Sequence, residues 1–335
     1  MRIAIVGATG LVGRKIIETL YKRNHLSGAN LILYASEKSA GKRLKIGNRI
    51  YVVRGLNEMS VEAVDVAIFS AGSAVALKYA PLFESLGAWV IDNSRAFRMN
   101  ENVPLIIPEI NAAILENFFT KNINTDPMKN SAAVKKPTKI IANPNCSTSG
   151  LALVLFYLEK VAPVKKVIVT TFQAASGAGA AGISDLENKT TNKFSEPLSD
   201  NLIPQIDDFD AFGNTLEENK IVNETQKILR HAINISATCV RVPVRNCHSE
   251  SVHIQFTCAV KMEAIRAALN NAYGVKLLNG LSTPRLADGQ NDVFVSRVRQ
   301  HSDHEIDLFL CFDNLLKGAA LNAVQIMETI CDRNM

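Results

Sequence analysis

The chain contains no apolar run long enough to cross a membrane as a helix, which excludes a helical membrane protein. Its six cysteines, at positions 146, 239, 247, 258, 311 and 331, form no CxxC pair. In a chain of this length that excludes a disulfide framework and points to reduced thiols in the cytoplasm. Aromatic residues make up only 6% of the sequence, and none interleave with basic residues in a patch. With a net charge of only +5, this argues against a nucleic-acid partner. A mild positive field suits phosphorylated small molecules better. There is no internal repeat and no low-complexity tract. The opening Met1-Arg2-Ile3-Ala4-Ile5-Val6-Gly7 reads as a strand and a turn, not as a targeting leader. No metal site is expected, because His301-Ser302-Asp303-His304 reads as a polar turn and not as a ligand set.

The 335 residues, 47% hydrophobic and 21% charged, have ordinary globular composition and suffice for two domains, each with its own core. Short apolar strands at 3–6, 31–35, 64–70, 88–91 and 139–142 alternate with helical patterns such as 12–21 and 74–86. That alternation predicts an α/β fold with a mostly parallel sheet covered on both faces. Later the texture changes. Val252-His253-Ile254-Gln255-Phe256-Thr257-Cys258 alternates apolar with polar, and 293–299 and 306–312 also read as strands. This predicts an α+β second domain whose sheet has one solvated or interface-facing side. Residues 317–330 return to a helical period. Thr120 to Thr138 and Lys189 to Asp200 read as irregular surface segments.

Cys146 lies in Asn143-Pro144-Asn145-Cys146-Ser147-Thr148, between a strand-like run and an apolar helical run, 151–161. A thiol at a helix start meets unpaired backbone N–H groups and the positive end of the macrodipole, which favour the thiolate. The plainer alternative for one free cysteine is a small buried core residue.

Gly7-Ala8-Thr9-Gly10-Leu11-Val12-Gly13 follows a strand and opens a helix. The three glycines let the backbone turn tightly and approach a pyrophosphate. After the second strand, Ser36, Lys38 and Ser39 suit an adenosine 2′-phosphate, whereas Glu37 suits a ribose hydroxyl. NADP is therefore expected, with NAD possible. A third constellation, Arg241-Val242-Pro243-Val244-Arg245-Asn246-Cys247-His248, offers an arginine able to clamp a carboxylate and a histidine able to serve as acid and base.

These motifs resemble aspartate-β-semialdehyde dehydrogenases nearly end to end. The resemblance is carried by Gly7-Ala8-Thr9-Gly10, Ser39-Ala40-Gly41-Lys42, Asp92-Asn93-Ser94, Asn143-Pro144-Asn145-Cys146-Ser147-Thr148, Asn201-Leu202-Ile203-Pro204-Gln205-Ile206-Asp207, Arg241-Val242-Pro243-Val244 and Asp313-Asn314-Leu315 with Lys317 to Gln325. The family implies a Rossmann-like dinucleotide-binding domain, 1–145, completed by a C-terminal helix at 315–335. A catalytic and dimerisation domain would occupy 146–314. It implies Cys146 as acylated nucleophile, His248 as acid–base and Gln173 as the residue orienting the intermediate. Arg241 would hold the substrate carboxylate and Glu217 its ammonium, while Arg98, Asn145 and Lys220 would bind phosphate. The cofactor would lie on Gly7, Thr9, Gly10, Leu11, Val12, Gly13, Ser36, Lys38, Ser39, Ser176, Gly177 and Asn314.

The implied reaction is the reversible, NADP-dependent conversion of aspartate semialdehyde and phosphate to aspartyl phosphate, in lysine, methionine and threonine biosynthesis, by a cytoplasmic homodimer or homotetramer. The sequence departs from the family at Cys247, where glycine is common, at Lys38, where arginine is common, and at Arg95, where a small residue is usual. Rival readings are an N-acetyl-γ-glutamyl-phosphate reductase, a CoA-thioester reductase and a nucleotide-binding paralogue without catalysis. The first has a different nucleophile motif, and the last would be expected to have lost Cys146, Gln173, Arg241 or His248.

Overall fold

The structure, a computed structural model, describes residues 1–27, 29–115 and 138–334. The segment expected to be a surface loop at 120–138 lies, except for Thr138, outside the described residues. The chain divides into two compact units: Met1–Asn143 with Ala323–Met335, and Pro144–Asn322.

The first unit is built on a seven-stranded sheet: β1 (Arg2–Val6), β2 (Asn30–Ala35), β3 (Arg43–Ile46), β4 (Arg49–Gly55), β5 (Val66–Phe69), β6 (Trp89–Asp92) and β7 (Ile140–Ala142). The order is β3-β4-β2-β1-β5-β6-β7. Pairing is parallel throughout except between β3 and β4. Ile5 sits between Leu33 and Ile68, and β5 and β6 are buried along their whole length. Uninterrupted apolar strands are what a sheet covered on both faces requires. The chain leaves β1 for β2 on one side and β5 on the other, so β1 ends at the switch point where open α/β sheets bind ligands. Helix α1 (Leu11–Lys22) buries Ile16, Ile17 and Leu20. Helix α2 (Ser73–Ser85) buries Phe83, whose ring meets Tyr34 and Phe69 edge-on at 5.8 and 5.5 Å. The short α3 (Pro108–Asn111) starts on a proline.

The second unit holds a six-stranded mixed sheet: β8 (Val164–Gln173), β9 (Asn234–Arg241), β10 (His248–Phe256), β11 (Val275–Leu277), β12 (Val293–Ser302) and β13 (Glu305–Phe312), in the order β11-β12-β13-β10-β8-β9. Central β10 runs antiparallel to both neighbours, with His248 opposite Phe312 and Glu250 opposite Thr171. His248, Glu250, Val252 and Ile254 point to the buried face, while Ser251 on the other face is exposed. Helices α4 (Cys146–Leu158), α5 (Gly179–Asn188), α6 (Leu216–Leu229), α7 (Met262–Asn270) and α8 (Pro284–Ala287) complete the unit. Helix α4 packs against α6, α7, β8 and β13 and is buried on nearly every side, which accounts for its lack of an apolar stripe.

The helix expected at 317–330 begins differently. A π-helical turn, Leu316–Ala320, precedes α9 (Leu321–Asn334). From Ala323 onward α9 counts with the first unit, where Gln325 donates to Glu109 and Glu328 pairs with Arg23 and His25.

Candidate active site

Cys146 is the first residue of α4. Asn145 caps that helix, its Oδ1 accepting from Ser147 N–H at 2.9 Å. The cap occupies one of the N–H groups at the helix start. It also fixes the rest of the amide, whose Nδ2 donates to both oxygens of Glu217 at 3.1 and 3.2 Å. The backbone N–H of Asn145 donates to Glu224 at 2.6 Å. The residue preceding the thiol is thus held on three sides.

Cys146 Sγ lies 3.2 Å from His248 Nε2. The other ring nitrogen, Nδ1, accepts the backbone N–H of Ala174 at 3.1 Å. An N–H donor directed at Nδ1 leaves no room for a proton there, so the imidazole carries its proton on Nε2 and directs it at the sulfur. His248 is fully buried. Burial, and then the positive charge of Arg241, push its pKa well below the usual 6.5. The ring is therefore a neutral donor to Cys146.

Arg241 ends β9, buried and 5% exposed. Burial draws its pKa down from 12.5. Nη1 donates to Ala174 O at 2.7 Å. Among the described residues no carboxylate stands within ion-pair distance, so the remaining donors are open to a ligand's carboxylate. Glu217 is a hub. It accepts from Gln173 Nε2 at 3.0 Å, Lys220 Nζ at 2.9 Å and Asn145. Burial pushes its pKa up, but Lys220 and the hydrogen bonds outweigh that and hold it below 4.5. Lys220 also binds Asp207, and these two carboxylates overcome burial to raise its pKa.

Two glycines form walls. A Cβ on Gly177 would lie 2.8 Å from Arg241 Nη1 and 3.1 Å from His248 Cε1, and one on Gly318 would lie 2.8 Å from the Cβ of Cys146. Ser176 Oγ lies 3.0 and 3.1 Å from the amide of Asn314, whose Oδ1 accepts from Cys247 N–H at 2.9 Å. Cys247 has φ +75°, the left-handed conformation that favours glycine. Its strain explains why glycine would be the commoner choice beside this histidine. Cys247, Asp288 and Asp313 bring their ligand atoms within 4.8 Å of one another, but both aspartates already accept protein hydrogen bonds.

Within the second unit the structure therefore gathers Cys146, His248, Gln173, Arg241, Glu217, Asn145, Lys220, Ser176, Gly177 and Asn314. Arg98 and the glycine turn belong to the first unit. Arg98 is anchored there by Asn143 O at 2.9 Å and Asn93 O at 2.7 Å, beside the ends of β6 and β7. Arg95 is exposed.

In the turn, Gly7 has φ +92° and a Cβ there would overlap Ser70 O; one on Gly13 would overlap Gly7 O. Thr9 O accepts from Arg14, and Gly10 caps α1 without a side chain, leaving the N–H groups of Leu11 and Val12 uncapped by any side chain at the helix start. This cradle fits a dinucleotide's pyrophosphate. Glu37 is folded over Gly55 and accepts from Asn57. Among the described residues, no protein group binds the side chains of Ser36, Lys38 or Ser39.

Sequence reasoning missed the N–H of Ala174, the carboxylate of Glu224, Gly318 and the ring of Phe194, which lies over Arg241. The small-residue run Lys317-Gly318-Ala319-Ala320 carried a hint of close packing; the others have no local signal.

A nucleotide-type sheet followed in one chain by a mixed sheet whose His248 meets a helix-borne thiol is the arrangement expected of a dehydrogenase of the semialdehyde class. Two family models match in that order: "Semialdehyde dehydrogenase, NAD binding domain" over residues 2–118 and "Semialdehyde dehydrogenase, dimerisation domain" over 156–317. The aspartate-semialdehyde dehydrogenase of Aquifex aeolicus is 41% identical across 98% of this chain and 97% of its own. The crystal structure of aspartate semialdehyde dehydrogenase II complexed with ASA from Vibrio cholerae has a TM-score of 0.89 at 36% identity, covering 99% of this chain and 98% of that one. That of the Candida albicans enzyme with NADP has a TM-score of 0.79 at 26% identity, covering 99% of each chain. The chain belongs to the aspartate-semialdehyde dehydrogenase family.

Proposed function

We propose that the protein catalyses the reversible, phosphate-dependent conversion of L-aspartate 4-semialdehyde to 4-phospho-L-aspartate, with NADP as the preferred nicotinamide cofactor, as a step in amino-acid biosynthesis. The observation that carries this reading is the 3.2 Å contact between Cys146 Sγ and a buried, neutral His248. The alternative family activities draw no support from the relatives, which are aspartate-semialdehyde dehydrogenases.

In the reductive direction the Cys146 thiolate attacks the acyl carbon of aspartyl phosphate, the acyl C–O bond breaks, and phosphate leaves a thioester on sulfur. When bound, the nicotinamide cofactor supplies the hydride. The tetrahedral alkoxide then collapses to aldehyde, and the C–S electron pair returns to sulfur as thiolate. No net proton is needed for that collapse. His248, expected from the sequence as the acid–base, is proposed instead to act through Nε2–H as a donor, to sulfur at rest and to the oxyanion when it forms, because burial keeps its ring neutral. Arg241 holds the substrate carboxylate, and Glu217 holds its ammonium and is itself held by Gln173 and Lys220. Lys220, Asn145 and Arg98 serve the phosphate. Gly7, Thr9, Gly10, Leu11, Val12 and Gly13 would hold the cofactor's pyrophosphate. Ser36, Lys38 and Ser39 would hold its 2′-phosphate, a reading supported by Glu37 being engaged with Asn57. Ser176, Gly177 and Asn314 would place the nicotinamide. The protein is further proposed to be cytoplasmic, with residues 146–314 as its catalytic and dimerisation domain, and to work as a homodimer or homotetramer. Among the described residues no helix is long and apolar enough to cross a membrane.

Cys146→Ser is expected to abolish nearly all phosphate-dependent reduction of NADP by aspartate semialdehyde. Turnover at the wild-type rate would remove Cys146 as nucleophile. The same assay run with NAD measures the cofactor preference.

A further inference from the structure

Arg241 is buried, its side chain makes one hydrogen bond among the described residues, and a guanidinium so lightly held needs something to fix its plane. The ring of Phe194 lies over it, with Arg241 Cζ 5.8 Å from the ring centroid. Phe194 belongs to a stretch without regular secondary structure, 190–200, yet it is not loosely placed. Asp185 of α5, fully buried, accepts from Thr190 Oγ1 at 2.6 Å, Asn192 Nδ2 at 3.3 Å, Lys193 N at 2.6 Å and Phe194 N at 3.2 Å. One turn earlier on the same helix, a Cβ at Gly182 would lie 2.6 Å from Ala175 O, 2.7 Å from Ala178 Cβ and 3.0 Å from Phe194 Cζ, so the glycine lets the helix approach both the Ala175 turn and the ring. Phe194 and Leu186 also pack on Ala175, Leu198 and Ile203. Ile203 exchanges backbone hydrogen bonds with Arg241 itself. Helix α5 thus holds the ring by its backbone and its edge, and the ring's face meets the guanidinium.

We propose that Phe194, pinned by Asp185 and admitted by Gly182, is a positioning residue that orients the Arg241 guanidinium for the substrate's carboxylate. The aromatic face attracts the cation without consuming any of its N–H donors, which a carboxylate partner would do. Burial strengthens that attraction because water does not compete. Four hydrogen bonds, that of Thr190 foremost, hold the Asp185 carboxyl down at a pKa of about 2, so the pin stays charged at neutral pH. The proposal rests on the reading of Arg241 as the carboxylate clamp, and the test separates the two.

Steady-state kinetics of Phe194→Leu, Phe194→Tyr and Arg241→Lys should be measured with semialdehyde and phosphate each varied. Leucine keeps apolar bulk but has no ring face. Phe194→Leu is expected to raise KM for semialdehyde on the order of tenfold, with kcat and KM for phosphate changed by less than about twofold. Phe194→Tyr should stay near wild type. Should Phe194→Leu fold poorly, Asp185→Asn loosens the pin while leaving the ring intact, and it should raise the semialdehyde KM alone. Equal KM values for Phe194→Leu and wild type, or equal losses in the leucine and tyrosine variants, would overturn the proposal, as would a matching rise for phosphate. An unchanged semialdehyde KM in Arg241→Lys would instead bring down the clamp, and the role of Phe194 with it.

Discussion

Glu250 is the third residue of β10, on the face it shares with His248, and is fully buried. Neither carboxylate oxygen has a hydrogen-bond partner among the described residues. Such a group survives burial as the neutral acid, and burial alone drives its pKa well above 4.5. The folded state therefore holds this proton more tightly than the unfolded chain. Its contribution to stability is full below the unfolded pKa and is lost as pH rises through the raised folded one. Glu250→Gln, which cannot ionise, should raise the melting temperature by a few degrees above about pH 7 and change it little near pH 4. Equal shifts at both pH values would show that shape and not charge is at stake. His248 makes a second prediction at this scale. If it acts as a donor through Nε2, glutamine can partly replace it and alanine cannot. His248→Ala should lower kcat by roughly 10²–10³, more than it alters KM, with His248→Gln recovering part of that loss. Identical kcat in the two variants would mean that proton transfer, not donation, is required.

Elements place these residues. The start of α4 is read twice, once by the Asn145 cap from below and once by the π-helical turn Leu316–Ala320 beside it. Single π-turns inside helices are uncommon and recur at functional sites. Here the turn carries Gly318 so close to Cys146 that any side chain must move one of them. Gly318→Ala should lower kcat at least tenfold and slow alkylation of Cys146 by iodoacetamide, while circular dichroism stays native. Unchanged alkylation would show that the close approach does not set the thiol. The sequence made Cys146, the glycine turn and the Arg241–His248 segment visible because each depends on local chemistry at fixed spacing. β1 and α1 were legible for a related reason, since period and burial agree over Ile3–Leu20. Helices α5 and α6 were not. Gly179–Asn188 is rich in small residues, and Leu216–Leu229 keeps a polar majority although Thr215 and Glu218 form a capping box at its start. The β3–β4 hairpin carries Ile50 and Val52 exposed, so its period reports no buried face. Contacts such as Gln173 with Glu217, or Ala174 N–H with His248, join residues 44 and 74 positions apart through helix-on-sheet packing and sheet register, which no local pattern encodes.

Across the whole chain, the second sheet poses the remaining question, because only one of its faces is covered by the unit's own helices. On the other face Ile168 is 43% exposed, and Phe172 stacks on Phe309 with ring centroids 6.3 Å apart. Phe172 and Phe309 are each only half-buried. These residues lie on β8 and β13, the strands on either side of β10, where a sheet offers its broadest flat surface. Thr170 and Ser251 continue the surface between them, and His253, opposite Ile168, pairs with Asp307 at 3.0 Å at its edge. An apolar centre with a polar surround is the composition of a stable interface, which typically buries about 800 Å² per partner. Residues 156–317, which carry this sheet, match the family model described as a dimerisation domain. A charge placed on this face would have to be desolvated twice in a two-fold dimer, once from each copy. Ile168→Glu is therefore expected to convert the proposed homodimer to monomer at micromolar concentration, measured by light scattering after size exclusion. Ile168 points away from His248 on the sheet, so circular dichroism should remain native. A wild-type mass for Ile168→Glu would place the subunit contact elsewhere.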